Sequence, residues 1–144
     1  MDLITVRNST ESDYRYCYRI TKINMFSYFT KYWWGWKSGC FRWDFVPEET
    51  YIILKNNRRI GFYTLIEKPD FFYINNIQIT PPMIGKWIGS YIMKIIEKVA
   101  FESKIDSIRL EVFKDNPAKK LYDRFNYETI EDKWKSVIME KKII

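Results

Sequence analysis

The spacing of apolar residues changes along the chain, and each change marks an element. Leu3 to Arg7 alternates over a short stretch, as a half-buried strand does. Thr10 to Asp13 then has N-cap character, with an acidic residue three after a threonine. Tyr14, Cys17, Tyr18 and Thr21 follow at helical spacing. That helix runs into an aromatic segment holding a second helix or an irregular loop, broken at Gly35 and Gly39. Tyr51 to Leu54 are β-formers, and Asn56-Asn57 makes a tight-turn pair because asparagine tolerates positive φ. Arg59 to Ile66 reads as the return strand, Pro69-Asp70 as a turn, and Phe71 to Thr80 as a third strand.

Pro81-Pro82 stops that strand sharply. Ile88, Ile92, Ile95, Ile96 and Val99 then form an apolar stripe at i, i+4, i+7, i+8 and i+11, an amphipathic helix. Ser107 to Phe113 is a strand. Asn116-Pro117 is an N-cap followed by proline at the first helical position. Ala118, Leu121, Tyr122 and Phe125 give that helix its apolar face. Tyr127 to Glu131 and Trp134 to Glu140 read as two closing strands. The order predicts an α/β (α+β) fold with a mixed, mostly antiparallel sheet flanked by helices. With no repeat and no Gly/Ser/Pro-rich linker, residues 1–144 read as a single domain.

Composition narrows the chemistry. The chain has no histidine, which excludes Ser-His-Asp and Cys-His catalytic sets, HExxH zinc sites and an imidazole base. Cys17 and Cys40 are too few for a zinc site or a disulfide framework, so the expectation is free thiols, no metal and a cytoplasmic protein. No secretory signal and no membrane-spanning apolar run is visible, so no membrane partner is expected. There are 24 Lys+Arg against 18 Asp+Glu, a net charge of +6. That balance fits nucleic acid, an anionic ligand or simple solubility. Aromatics are 19% of the chain and crowd between Tyr14 and Phe45, as core, ligand wall or base-stacking platform.

Two segments carry a resemblance. Ile77 to Met93, IQITPPMIGKWIGSYIM, resembles the acetyl-CoA pyrophosphate loop of the Gcn5-related N-acetyltransferase family, Q/R-x-x-G-x-G/A between a strand and a helix. Leu110 to Glu128, LEVFKDNPAKKLYDRFNYE, resembles the family's second signature, L-x-V-x-x-x-N-x-x-A-x-x-L-Y-x-x-x-G-F. In the second segment Leu110, Val112 and Asn116 match the pattern, as do Ala118, Leu121 and Tyr122 among themselves, one residue nearer to Asn116, and Asn126-Tyr127 stands where Gly-Phe is usual. Asparagine suits the left-handed stop of a helix. In the first segment Ile84 replaces the usual Gln or Arg, and Trp87 replaces the first glycine. Trp87 directly precedes the helical periodicity, so it is expected to be helical, with its N–H toward the ligand and its indole elsewhere. The alternative is that Trp87 partly fills the diphosphate site, leaving a weak acyl-CoA binder that works as a binding module.

The resemblance implies a sheet with splayed central strands and transfer of an acetyl group from acetyl-CoA to a primary amine of a small molecule or protein. It implies cofactor contacts from the main chain of Ile77, Gln78 and Ile79, from the loop Ile84, Gly85, Lys86, Trp87, Ile88, Gly89 and Ser90, and from Asn116, which also caps its helix. Tyr122 is implied as general acid toward the leaving thiolate, because a phenol is protonated at neutral pH. Trp34 and Trp36 would wall the acceptor pocket, by apolar contact or cation–π attraction. The general base stays open among the carboxylates Glu111, Asp44, Glu48 and Glu49, a tyrosine and water. Lys86, Lys114, Lys119 and Lys120 lie in or beside the motifs and favour a phosphate-bearing small molecule. No RNP-like or Gly-rich basic motif is present, so no nucleic-acid partner is expected. Family members are often dimers, so a homodimer is a further expectation.

Overall fold

A computed structural model describes residues 3–32, 41–42, 45–85 and 87–144. In chain order these residues form β1 (Ile4–Asn8), α1 (Tyr14–Tyr32), β2 (Thr50–Lys55), β3 (Arg58–Glu67), β4 (Phe71–Ile79), α2 (Ile88–Glu102), β5 (Ser107–Phe113), α3 (Ala118–Arg124), β6 (Glu128–Asp132) and β7 (Ser136–Lys142). The strands form one sheet in the order β1-β2-β3-β4-β5-β7-β6. Pairings β1–β2, β2–β3, β5–β7 and β6–β7 are antiparallel, and β4–β5 is parallel. The parallel pairing joins only Phe71–Ile74 to Ser107–Leu110, although β4 runs on to Ile79 and β5 to Phe113.

The chain divides into two compact units. The first comprises Met1–Thr64 and Asn76–Ile84. Here Asn56 and Asn57 both have positive φ, 50° and 67°, as the tight β2–β3 turn requires. The Thr10 N–H donates to Asp13 Oδ2 at 2.9 Å, so the residue spacing at the start of the first helix does act as a cap. The core joins Cys17 and Ile20 of α1 to Phe41, Phe45, Ile52 and Phe62. Burial pushes the Cys17 thiol up to about 12, which leaves it an inert packing group. Asp13, only 2% exposed, pairs with Arg7 at 2.8 Å and Arg59 at 3.2 Å. The Arg7 hydrogen bond, the largest influence, holds its carboxyl down to about 2.

The second unit comprises Leu65–Asn75 and Gly85–Ile144. Its core includes Ile88, Ile92, Met93, Ile96 and Ala100 of α2 with Ile108, Leu110 and Met139. Burial of each large side chain contributes about 1.5–3 kcal/mol. The α2 seam differs from the expected one. Val99 is 38% exposed, while Met93 and Ala100 are sealed. The buried stripe therefore follows Ile88, Ile92, Ile96 and Ala100 at i, i+4, i+8 and i+12, with Met93 beside it. The other departure is at Trp134, expected in a strand. It occupies the β6–β7 turn with φ of 73° and is 77% exposed. Asp132 Oδ1 holds its N–H at 2.8 Å, and this side-chain bond closes the turn before β7 begins.

Candidate acyl-CoA site

Within the first unit, β4 ends on Ile77, Gln78 and Ile79. The Thr80 N–H donates to Ile60 O at 2.8 Å. Main-chain groups alternate sides along a strand, so those of Ile79 and Ile77 turn away from β3. Gly61 of β3 lies close against this segment. A Cβ there would sit 2.4 Å from the Gln78 carbonyl oxygen. The lone glycine of β3 is thus required by a close backbone approach, a contact that local sequence does not show. Gln78 is buried, and its Nε2 donates to Asn76 Oδ1 at 2.8 Å. Its side chain is therefore part of the protein's own network, and by the same alternation its main-chain groups face β3, so the contact expected from Gln78 is not available to a ligand.

A 3-10 turn over Pro81–Met83 follows, with the Met83 N–H on Thr80 O and the Ile84 N–H on Pro81 O. Ile84, the last residue of the first unit, is 55% exposed.

The second unit opens on the loop. Gly85 has φ of +83° with open space around it, so it is glycine for its backbone conformation alone. Trp87 has φ −68° and ψ −4°. It is helical, as its place before the periodicity implied, and the position does not demand glycine. Its indole is 52% exposed and meets Tyr91 edge-on at 5.7 Å. The first helical bond of α2 runs from the Tyr91 N–H to Trp87 O at 3.0 Å. The N–H groups of Ile88, Gly89 and Ser90 therefore precede the helical ladder, and no side chain caps that end. Ile88 is buried and anchors the turn. Gly89 is small for packing, since a Cβ there would lie 3.1 Å from Leu121 Cδ2. The two sequence motifs thus touch, Gly89 of one against Leu121 of the other. Lys86, Trp34 and Trp36 lie outside the described residues, as do Cys40, Asp44 and the expected break at Gly35 and Gly39.

The second motif starts α3. Asn116 Oδ1 accepts the Ala118 N–H at 2.9 Å, the capping expected of it. At the other end Asn126 has φ of 68°, and the Tyr127 N–H closes on Tyr122 O at 3.0 Å. Asparagine therefore performs the helix stop in place of glycine. Tyr122 is 4% exposed and meets Tyr127 edge-on at 6.1 Å. Burial raises its pKa, so the phenol stays protonated throughout the neutral range. It makes no hydrogen bond to any described residue.

The candidate bases are partly committed. Glu111 Oε2 accepts from Ser136 Oγ at 2.6 Å, and Lys133 stands 3.6 Å from Oε1. Glu48 and Glu49 lie in a short 3-10 turn with neither residue buried. The lysines are less free than their clustering suggested. Lys114 pairs with Asp132 at 2.8 Å and Lys119 with Asp123 at 3.3 Å, whereas Lys120 is exposed. Among the described residues no group of three or more His, Cys, Asp or Glu could hold a metal. Among them, too, no helix is long and apolar enough to cross a membrane.

Solved structures share this fold of a mixed seven-stranded sheet flanked by helices. The PaiA N-acetyltransferase of Thermoplasma acidophilum, crystallised with coenzyme A, has a TM-score of 0.77 at 16% identity, covering 97% of this chain and 99% of that one. The ribosomal-protein-S18-alanine N-acetyltransferase of Escherichia coli has a TM-score of 0.77 at 16% identity, covering 98% and 94%. A GNAT-family acetyltransferase of Staphylococcus aureus reaches 0.81 at 12% identity, covering 99% and 100%. At these identities the likeness is one of fold. No curated protein matches the sequence. The profile of the Acetyltransferase (GNAT) family matches residues 6–127, and the chain belongs to that family.

Proposed function

We propose that the protein transfers the acetyl group of acetyl-CoA to a primary amine of a small molecule or a protein. The observation that carries this reading is the open N-terminus of α2. A helix start with free N–H groups and a partial positive charge suits a diphosphate. Gly85 in the left-handed region turns the chain into it, and helical Trp87 leaves the N–H row intact. The family match runs through both units, which supports treating residues 1–144 as one functional domain.

In this reading Ile84 to Ser90 bind the diphosphate by main-chain groups, with Lys86 adding charge. Ile77 and Ile79 offer main-chain groups to the acyl-pantetheine arm, where an N–H would stabilise charge developing on the thioester oxygen. Asn116 holds the start of α3 and so places Tyr122. The amine nitrogen forms a bond to the acyl carbon as the carbon–sulfur bond breaks. Tyr122 gives its proton to the departing thiolate, and the proton lost by the amine passes to a carboxylate or to water. Burial keeps the Tyr122 phenol protonated at neutral pH but also makes it a weaker acid, so its proton has to move as the carbon–sulfur bond breaks rather than before. Trp34 and Trp36 are proposed to wall the acceptor site. Two of the solved structures named above are N-acetyltransferases, one of them a ribosomal-protein-S18-alanine N-acetyltransferase, which supports an amine acceptor.

A panel of polyamines, aminoglycosides and peptide N-termini, each supplied with acetyl-CoA, tests the reading by release of free thiol. Acceptor-dependent thiol release supports it. Tight binding of acetyl-CoA with no release across the panel favours a binding module instead.

A further inference from the structure

Residue Asn24 of α1 belongs to no motif, yet it reaches the end of β4 within the first unit. Its Nδ2 donates to Ile79 O at 2.9 Å and to Gln78 Oε1 at 3.1 Å. An asparagine amide carries two N–H donors, so both are committed to β4. Two turns earlier, Tyr16 Oη shares a hydrogen bond with Thr80 Oγ1 at 2.9 Å. The Arg59 guanidinium covers the Tyr16 ring at 4.6 Å and is itself held by Asp13. Helix α1 thus grips residues 78 to 80 from two points about 12 Å apart along its axis. The Ile79 carbonyl turns away from β3, and the pairing of β4 with β5 extends only to Ile74. Asn24 supplies the partner that a neighbouring strand does not.

We infer that Asn24 is a positioning residue for acyl-CoA: it fixes the Ile79 peptide, and with it the main-chain groups that β4 offers to the acyl-pantetheine arm. Without Asn24 the Ile79–Thr80 peptide is anchored on one side only, by the Thr80 N–H on Ile60 O, and the adjoining N–H and C=O groups aim less sharply. The inference rests on the site proposed above.

The test is calorimetric titration of coenzyme A into the full chain and into Asn24→Ser and Asn24→Asp, with Tm recorded for each. Asn24→Asp replaces the donor by an anion facing the Ile79 carbonyl, and Asn24→Ser is the milder loss. Ile52→Val, in the fully buried core of the same unit, serves as the control for lowered stability. The expected result is a rise in Kd of about tenfold for Asn24→Asp and about threefold for Asn24→Ser, the scale of one hydrogen bond. KM for acetyl-CoA rises in parallel and the acceptor KM does not. Ile52→Val lowers Tm and leaves Kd unchanged. Wild-type Kd in both Asn24 variants, or an equal loss in Ile52→Val, overturns the inference. Failure of the wild-type chain to bind coenzyme A overturns the site itself, and this inference with it.

Discussion

The two helices of the second unit begin in opposite ways. At α3 the chain closes its own helix end, with Asn116 Oδ1 on the Ala118 N–H. At α2 no described side chain closes it, and the N–H groups of Ile88, Gly89 and Ser90 precede the Tyr91–Trp87 bond. A cap contributes about 1 kcal/mol, so forgoing one on a helix of 15 residues calls for a compensating role. In the proposed reading the difference separates scaffold from site. The closed end places a side chain, Tyr122, and the open end offers backbone.

The comparison breaks first at Tyr122. If α3 contributes through that phenol, Tyr122→Phe lowers kcat about 100-fold and leaves coenzyme A affinity within about twofold. Steady-state kinetics beside a binding titration measure both, and an unchanged kcat removes the acid role. The next largest effect is expected away from both helix ends. Asp13 titrates at about 2 when folded, against an ordinary 3.8. A depressed carboxyl contributes stability above its unfolded pKa and loses it as pH falls through the folded one. Denaturation at stepped pH should show a loss between pH 4 and 2 of at most about 2 kcal/mol, reduced by screening at the half-exposed arginines. Asp13→Asn should remove that slope.

Gly85→Ala sharpens the open end. A residue with a Cβ at φ of +83° costs about 1–2 kcal/mol, and the loop relaxes away from its turn. Coenzyme A should bind more weakly while α2 stays helical by circular dichroism. Asn116→Ala is the smallest change and tests the closed end. It should cost about 1 kcal/mol in chemical denaturation with coenzyme A affinity nearly unchanged. A large loss of affinity there would instead make Asn116 a direct ligand contact.

Local patterns disclosed what depends on local physics. The asparagine turn at residues 56 and 57, the cap at Asn116, the left-handed stop at Asn126 and the helical Trp87 all follow from neighbours in sequence. What stayed hidden depends on distant partners. Nothing near Gly61 announces the Gln78 carbonyl, and nothing near Asn24 announces Ile79. Gly89 was legible as the small position of a motif, but its reason, the side chain of Leu121, is a tertiary contact. The spacing of Val99 places it in the seam, and the azimuth of α2, which the sequence does not show, leaves it exposed. Trp134 read as a strand residue by its β propensity, and the Asp132 side chain overrode it.

The central claim is that the open end of α2 receives the diphosphate of acyl-CoA. Trp87→Asp tests it most directly, with Trp87→Ala as its partner. A carboxylate in the first turn favours the helix by a few tenths to about 1 kcal/mol and repels a diphosphate at the same place. Titration calorimetry with coenzyme A, read beside Tm, should give the aspartate variant a Kd at least tenfold higher with no fall in Tm, and the alanine variant a Kd near wild type. Equal affinity in Trp87→Asp and wild type would contradict the claim.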